Sequence, residues 1–160
     1  LLAFRIPVFS RRARRHLISH PKFFFFDAGI FKSLRPNGPL DSPEEMNGPA
    51  LEGLVAQHLR AWMAYGDLDK TKLFFWRTKS GNEVDFVIYG PGNFFAVEVK
   101  NSRNVYRKDV KSLRAFKDDY PESNVVLLYR GDERLLVDDV LCLPCSTFLQ
   151  NLIPGHPLVV

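Results

Sequence analysis

Cysteine is scarce in this sequence: it occurs only at Cys142 and Cys145. A structural zinc site needs about four Cys or His ligands, and no second pair of suitable spacing accompanies this one. A thioredoxin-like pair would follow a first strand, whereas these two residues lie near the end of the chain. We therefore expect two small buried thiols.

Long apolar runs and phosphate-binding glycine loops are also missing. No stretch reaches the roughly 18 apolar residues of a membrane span, and the opening LLAFRIPVFS is too short for a span or a signal peptide. No Gly-x-x-x-x-Gly-Lys-Ser/Thr stretch occurs, which excludes a P-loop ATPase within these residues. We expect a soluble, cytoplasmic protein without a membrane partner.

The sequence does contain enough apolar material for one domain. Its 160 residues are 46% hydrophobic and 25% charged, which suits a single globular core. The chain begins without methionine, in a stretch (LLAF) that reads like the middle of a strand. We therefore expect the C-terminal part of a longer polypeptide.

Hydrophobic patterning predicts a mixed β-sheet flanked by helices, an α/β fold. The predicted strands span 22–26, 73–78, 83–89, 94–99, 124–129 and 135–141. The predicted helices span 28–34, a long segment opening at Gly48-Pro49, 108–120 and a last segment from about residue 146. A proline-rich stretch over 35–49 is expected to be a loop. The three strands in the middle should be joined by hairpin turns, and the helix after them should cross over to a parallel strand.

The helix that opens at Gly48-Pro49 has the clearest pattern. Its apolar stripe recurs at three- and four-residue steps and comprises Leu51, Leu54, Val55, His58, Leu59, Trp62 and Met63. Glu52 lies beside the stripe. We expect His58 to be a buried core histidine, and Trp62 and Trp76 to be core residues rather than surfaces for base stacking.

Charged residues in two of the apolar strands indicate chemistry. Alternation places Glu83 and Asp85 on one face of their strand, opposite Val84 and Phe86. In the next strand Glu98 shares a face with Lys100. If the two strands pair as a hairpin, Asp85 and Glu98 lie near the same end of it.

Two neighbouring carboxylates favour a divalent cation between them. At about 4 Å they repel by roughly 4 kcal/mol at an effective dielectric of 20, unless one takes up a proton. Their oxygens, with the Val99 carbonyl, suit Mg²⁺ or Mn²⁺. Lys100 is suited to orienting a water molecule and offsetting charge that grows on a phosphate. The set predicts phosphodiester hydrolysis.

The spacing of Asp85 from Glu98-Val99-Lys100 resembles the D…ExK core of the PD-(D/E)XK nuclease superfamily, and Glu52 resembles the additional helix-borne acidic residue of many members. This resemblance implies a restriction-endonuclease-like fold, with Asp85, Glu98, Lys100 and Glu52 as catalytic residues. It implies a metal ion held by Asp85, Glu98, Val99 and Glu52. No proline precedes the aspartate in Gly81-Asn82-Glu83-Val84-Asp85, so the literal motif is incomplete.

Longer stretches resemble a narrower family, the uncharacterised C-terminal domain that follows the ATPase domain in a prokaryotic AAA-type ATPase family. They are KFFFFDAG from Lys22, LEGLV from Leu51, FWR from Phe75, EVDF from Glu83 and VEVK from Val97. The resemblance implies that 1–46 is a strand and linker segment joined to an upstream ATPase domain. It implies that 47–160 is the nuclease-like domain, with that ATPase as a partner in the same polypeptide.

The net charge of +4 permits a nucleic-acid partner without requiring one. One basic cluster comprises Arg11, Arg12, Arg14, Arg15 and His16. A second comprises Arg103, Arg107, Lys108, Lys111, Arg114 and Lys117. Each cluster alone is more typical of a solvated surface. Because the second follows Lys100 directly, Arg103, Arg107, Lys108 and Lys111 are candidates for holding the phosphate backbone of a nucleic acid, with DNA expected.

Two of these patterns have an ordinary structural alternative. A single Glu-x-Lys in a strand is usually a surface ion pair, and Glu83 is expected to pair with Arg77 or Lys79. Two functions therefore stay open: a magnesium-dependent nuclease, and a non-catalytic module that couples an ATPase to nucleic acid or protein.

Overall fold

In the computed structural model, the described residues are 3–27, 29–30, 33 and 43–158. They form a six-stranded mixed sheet and a two-stranded sheet with flanking helices, which confirms the predicted fold class. The strands are β1 Ala3–Ile6, β2 Lys22–Phe25, β3 Lys72–Arg77, β4 Glu83–Gly90, β5 Asn93–Val99, β6 Asn124–Tyr129, β7 Leu135–Val137 and β8 Val140–Pro144. The helices are α1 Pro43–Tyr65, α2 Lys111–Asp119 and α3 Cys145–Gln150, with a 3-10 helix at Arg107–Val110.

The large sheet has the strand order β3-β4-β5-β6-β8-β7. β3, β4 and β5 form the antiparallel meander that the turn composition predicted, and β6 lies parallel to β5 after the crossover through α2. β8 is parallel to β6 and pairs with β7 as an antiparallel hairpin. This meander brings the ends of β4 and β5 together, which is where the acidic residues lie.

Two boundaries differ from the sequence prediction. The single strand expected over 135–141 is two strands, because Asp138 and Asp139 adopt positive φ and form a turn, a conformation that aspartate tolerates better than most residues. The long helix begins at Pro43, so 43–49 is helical rather than a loop, and Pro49 lies inside it. Pro49 lies beyond the first turn, so the helix lacks one backbone hydrogen bond at this residue although the proline φ is near the helical value. The remainder of the expected loop, 35–42, lies outside the described residues, as does most of the short helix expected over 28–34.

One face of the large sheet packs against α1. Val55, Leu59 and Trp62 are buried there with Phe24 of β2 and Phe148 of α3. The apolar stripe of α1 is thus largely confirmed, with two exceptions: Leu54 and His58 are exposed. The His58 ring instead bonds the Leu54 carbonyl oxygen one turn earlier, at 2.9 Å, so the expectation of a buried histidine was wrong.

The other face packs against α2. Leu113 and Phe116 of this helix are fully buried against Trp76 of β3, and Phe9 of the N-terminal segment joins the same cluster. Both tryptophans are therefore core residues, as predicted. Because both faces of the sheet are covered, β4 and β5 lie in the interior of the fold. Polar side chains on these strands are therefore buried unless they lie near the end of a strand.

Cys142 and Cys145 are buried and unbonded to each other. Burial raises the pKa of each thiol to about 11, so both stay protonated and unreactive at neutral pH. The expectation of two small buried thiols is confirmed. Within the described ranges, no helix combines the length and hydropathy needed to traverse a lipid bilayer.

Candidate active site

A bulge in β4 determines where Asp85 lies. The pairing of β3 with β4 shifts by one residue between Phe74 and Trp76, so that Phe75 lies opposite both Asp85 and Phe86. A bulge bends its strand and redirects the side chains next to it. The Asp85 side chain is 10% exposed and lies at the edge of the core on the α1 side, where Lys22 reaches it.

The bulge also corrects the predicted alternation in β4. Phe86 packs in the core beneath α1, whereas Val84 packs in the core beneath α2. Regular strand alternation would have put both on one face. Neither glycine nor proline marks the bulge within β4, so the sequence carried no signal for it.

Asp85 is fixed to the end of β5 by a hydrogen bond. The backbone pairing of β4 and β5 runs as far as Phe86 and Val97. Beyond it, the Val99 N–H donates to Asp85 Oδ2 at 2.8 Å. The carboxylate thus substitutes for a backbone acceptor where the two strands separate, and it lies beside the ends of both strands.

Glu98 and Lys100 lie together on β5 and just beyond it. Lys100 Nζ is 2.8 Å from Glu98 Oε1, and the Glu98 side chain is only 9% exposed. The other oxygen, Glu98 Oε2, is buried and has no hydrogen-bond partner among the described residues. Burial and the charge of Asp85 raise the pKa of Glu98 to about 8, against the attraction of Lys100. A buried carboxylate oxygen without a donor is costly unless a proton or a cation reaches it.

Lys22 brings a cation into the same cluster from the N-terminal hairpin. Its Nζ lies 2.5 Å from Glu52 Oε1, 2.8 Å from Glu83 Oε1 and 2.9 Å from Asp85 Oδ1. The contact with Glu52 is an ion pair without the alignment of a hydrogen bond. Burial alone would lower the pKa of Lys22, but these three carboxylates outweigh it and raise the pKa. The ammonium is therefore charged at neutral pH.

Glu52 of α1 and Glu83 of β4 complete this acidic cluster. Burial and the charge of Asp85 raise the pKa of Glu52 to about 7, although Lys22 opposes the shift. Glu83 also pairs with Arg77, whose Nε is 3.3 Å from Glu83 Oε2, which confirms one of the two ion pairs predicted for it. We call Asp85, Glu98, Glu52 and Glu83 the acidic centre.

The acidic centre is not arranged as a ready-made metal cage. Among the residues that the structure describes, no group of three or more His, Cys, Asp or Glu side chains has the spacing of a metal site. The ammonium of Lys22 lies among three of the carboxylates, and Asp85 accepts from the Val99 N–H as well. Glu98 Oε2 has neither a hydrogen-bond donor nor a cation beside it in the described part of the chain, whereas Glu52 Oε1, which also lacks a hydrogen bond, has the Lys22 ammonium next to it.

The basic candidates lie on the segment that follows Lys100. Arg103 pairs with Asp132 at 3.0 Å, and Arg107 pairs with Asp138 at 3.3 Å. Both arginines and Asp132 are well exposed, whereas Asp138 is partly buried. Lys108 lies 5.8 Å above the ring of Tyr106. Lys111 is exposed and has no ion pair among the described residues. Exposed pairs of this kind are weak, so they leave the arginines able to exchange partners.

The segment bearing these basic residues adjoins the acidic centre. Ser112 Oγ accepts a hydrogen bond from the Glu83 N–H at 3.2 Å. Burial lowers the pKa of Lys100, but the attraction of Glu98 outweighs burial and raises it. The charge of Asp109 adds to this rise. The start of α2 therefore lies next to the ends of β4 and β5, within the same region as Lys100.

Sequence reasoning missed Lys22. It lies 63 residues before Asp85 in the chain, so no spacing within the hairpin reveals it. A signal was nevertheless present. Lys22 opens the apolar run KFFFF, and a charged residue in an apolar strand is the same feature that drew attention to Asp85 and Glu98.

Comparison with known proteins gives one match. A family model described as "Domain of unknown function (DUF4143)" matches residues 47–148, which is more than half of the chain and includes Glu52, Asp85, Glu98 and Lys100. No curated protein and no solved structure matches the chain.

Proposed function

We propose that this chain, which belongs to the DUF4143 family, hydrolyses phosphodiester bonds of nucleic acid with a divalent metal ion. One observation carries the proposal: a buried Glu98 oxygen without a donor lies in a cluster of carboxylates beside a lysine. The likeness of Asp85, Glu98, Val99 and Lys100 to the PD-(D/E)XK pattern supports the same reaction and a restriction-endonuclease-like fold.

The oxygen donors of the acidic centre are of the chemical type that binds a hard divalent cation such as Mg²⁺ or Mn²⁺. Asp85 and Glu98 offer carboxylate oxygens, and the Val99 carbonyl adds a neutral one. Asp85 has two partners already, but an ionised carboxylate has about four acceptor positions and retains capacity for a metal. Glu52 is the fourth candidate ligand, although its Oε1 is paired with Lys22. The raised pKa of Glu98 reflects burial and repulsion from Asp85 that a cation would relieve.

The residues of the site have separate tasks in this reaction. A bound divalent ion supplies Lewis-acid polarisation of the phosphate and a more acidic water molecule. Asp85 and Glu98 would hold that ion, and the Val99 N–H keeps the Asp85 carboxylate oriented towards the strand ends. Lys100, held by Glu98, orients the attacking water and offsets the negative charge that develops on the phosphate.

Metal-dependent cleavage of labelled polymers tests the proposal. The purified chain is incubated with single- and double-stranded DNA and RNA in Mg²⁺, in Mn²⁺ or in EDTA. We expect cleavage with either metal ion and none in EDTA, because the ion is needed to polarise the phosphate. Cleavage in EDTA would contradict the assignment, and so would intact polymers in every condition.

The basic segment provides the second part of the proposal, in which Arg103, Arg107, Lys108 and Lys111 hold the phosphate backbone. Each phosphate contact contributes about 0.9 to the slope of log affinity against log salt. Replacing Lys111 by glutamine is expected to lower affinity at every sequence and to reduce that slope by about one. Fluorescence anisotropy of labelled DNA in EDTA, at several salt concentrations, measures both changes.

Lys72 provides the matched control for Lys111. It is an exposed lysine on β3, opposite Tyr89, at the end of β4 away from Asp85. Lys72→Gln removes the same charge and should leave the salt slope as it is in the parent. Equal changes in the two variants would show that only net charge matters, and the contact at Lys111 would be refuted.

A second candidate function is a non-catalytic module that couples an ATPase in the same polypeptide to nucleic acid or protein. The Lys22 ammonium favours it, because it already pairs with Glu52, Glu83 and Asp85 where a metal ion would otherwise be needed. Differential scanning fluorimetry separates the two candidates. A ligand bound only by the folded state raises the melting temperature, so a rise with Mg²⁺ that is absent in Asp85→Asn supports the nuclease, and no rise supports the coupling module.

A further inference from the structure

Lys22 is held in the acidic centre by the backbone as well as by charge. β2 pairs with β1 in a regular antiparallel register in which Lys22 lies opposite Ile6. The next residue but one, Phe24, is buried and stacks on Phe4 at 5.5 Å. Its ring also lies 5.7 Å from that of Phe86, which is adjacent to Asp85 in β4. The lysine is therefore anchored on a packed strand rather than on a loop.

The ammonium divides the acidic centre into two sides. On one side Lys22 contacts Glu52 and Glu83. On the other, Glu98 has no contact with Lys22 within ion-pair distance, and its second oxygen has no partner among the described residues. Asp85 lies between the two sides. A second divalent ion would have to bind the same carboxylates as the Lys22 ammonium. Two cations that share a carboxylate lie only a few ångströms apart and repel each other strongly.

We propose that Lys22 acts as a resident cation which occupies the Glu52 and Glu83 side and limits the acidic centre to one divalent ion. Glu98 and Asp85 would hold that ion, and Asp85 keeps its contact with the Lys22 ammonium. Two-metal sites hold their ions about 3.5–4 Å apart over shared carboxylates, and the ammonium takes the second of those positions. Lys22 is thus a positioning residue, and the inference rests on the metal-dependent function proposed above.

Counting bound Mn²⁺ tests the inference without any assay of cleavage. Free Mn²⁺ is measured by electron paramagnetic resonance while the folded chain is titrated. The parent is expected to bind about one ion per chain, and Lys22→Met about two, since the variant keeps the length of the side chain and vacates the second cation position. Without metal, Lys22→Met should unfold at a lower temperature than the parent, and Mn²⁺ should restore it.

Arg77→Met is the matched control. Arg77 also pairs with Glu83, but its side chain is 51% exposed and it has no ion pair with Asp85. Removing it lowers the local positive charge by the same amount. We expect this variant to bind about one ion, as the parent does.

The ion counts distinguish a failure of the role of Lys22 from a failure of the proposed function. One ion in both the parent and Lys22→Met, or two ions in the parent, would overturn the role of Lys22 and leave the metal-dependent function standing. No ion in the parent would overturn the proposed function itself, and the inference with it. Two ions in Arg77→Met would attribute the count to net charge and would also overturn the inference.

If Lys22→Met fails to fold, a measurement on the parent protein tests the same inference. Reductive methylation of lysines, read by mass spectrometry, reports how accessible each ammonium group is. Lys22 is expected to react more slowly than the exposed Lys72, and saturating Mg²⁺ should leave its rate unchanged, because the metal and the ammonium occupy different positions. Faster methylation of Lys22 with Mg²⁺ would show that the metal displaces the ammonium, which contradicts a resident cation.

Discussion

Replacing Asp85 by asparagine is expected to reduce metal-dependent cleavage by on the order of 10²–10³-fold, because the variant loses an anionic ligand but little of the fold. The asparagine oxygen still accepts from the Val99 N–H, as Asp85 Oδ2 does at 2.8 Å. Lys22 keeps Glu52 and Glu83 as partners. First-order cleavage rates at saturating Mg²⁺, with urea unfolding of both proteins, measure the two effects separately.

Asparagine is a sharper substitution here than alanine. Both substitutions remove the charge that Lys22 contacts, but only Asp85→Ala also leaves the Val99 N–H without its acceptor. A buried donor without an acceptor costs about 1–3 kcal/mol of folding free energy. Alanine would therefore lose more stability than asparagine whether or not Asp85 binds a metal. Full activity in Asp85→Asn would refute the assignment of Asp85 as a metal ligand.

Lys100→Met extends the same comparison to the lysine. It preserves the length of the side chain and removes the group that pairs with Glu98 Oε1 at 2.8 Å. If Lys100 orients water and stabilises the charged transition state, cleavage should fall while the affinity for Mn²⁺ is retained. Full activity in Lys100→Met would refute this role of Lys100. Full activity in both Lys100→Met and Asp85→Asn would show that the activity comes from another protein in the preparation.

The parts of the site that sequence reasoning found are those encoded by local spacing. Asp85, Glu98 and Lys100 belong to one hairpin, and strand alternation with turn composition is enough to bring them to the same end. Glu52 came from the helix pattern together with the family resemblance. The meander and the crossover to β6 follow from the same local rules, which is why they could be predicted.

The parts that it missed depend on contacts across the fold. The bulge opposite Phe75 has no residue signature within β4, yet it assigns Val84 and Phe86 to different cores. Lys22 reaches the site because the N-terminal segment runs beside β3, where Phe9 N donates to Phe75 O and Ile18 N donates to Arg77 O. Such pairings have no period in the sequence. Tertiary packing decides them, and with them the charge balance of the site.

That charge balance predicts an unusual dependence of stability on pH. Without metal, the free energy of unfolding is expected to fall as the pH rises from about 5 to 8. Glu98 and Glu52 have folded-state pKa values raised to about 8 and about 7, first by burial and then by the charge of Asp85. In that range the folded state binds more protons than the unfolded state, so raising the pH favours unfolding. Each proton contributes at most about 1.4 kcal/mol per pH unit.

Urea unfolding at intervals between pH 5 and 8, with and without Mg²⁺, measures this slope, and Glu98→Gln is the control for its origin. Above pH 7 the decline should come mainly from Glu98, so the stability of the glutamine variant should be nearly constant there while that of the parent continues to fall.

A divalent ion binds the ionised carboxylates of the folded state alone, so saturating Mg²⁺ should stabilise the protein increasingly as the pH rises. Stability that is constant or rises over this range without metal would show that the carboxylates stay ionised, balanced by Lys22 and Lys100. If Mg²⁺ leaves the decline unchanged, the buried carboxylates repel one another but do not bind the metal ion. That result would favour the coupling module over the nuclease.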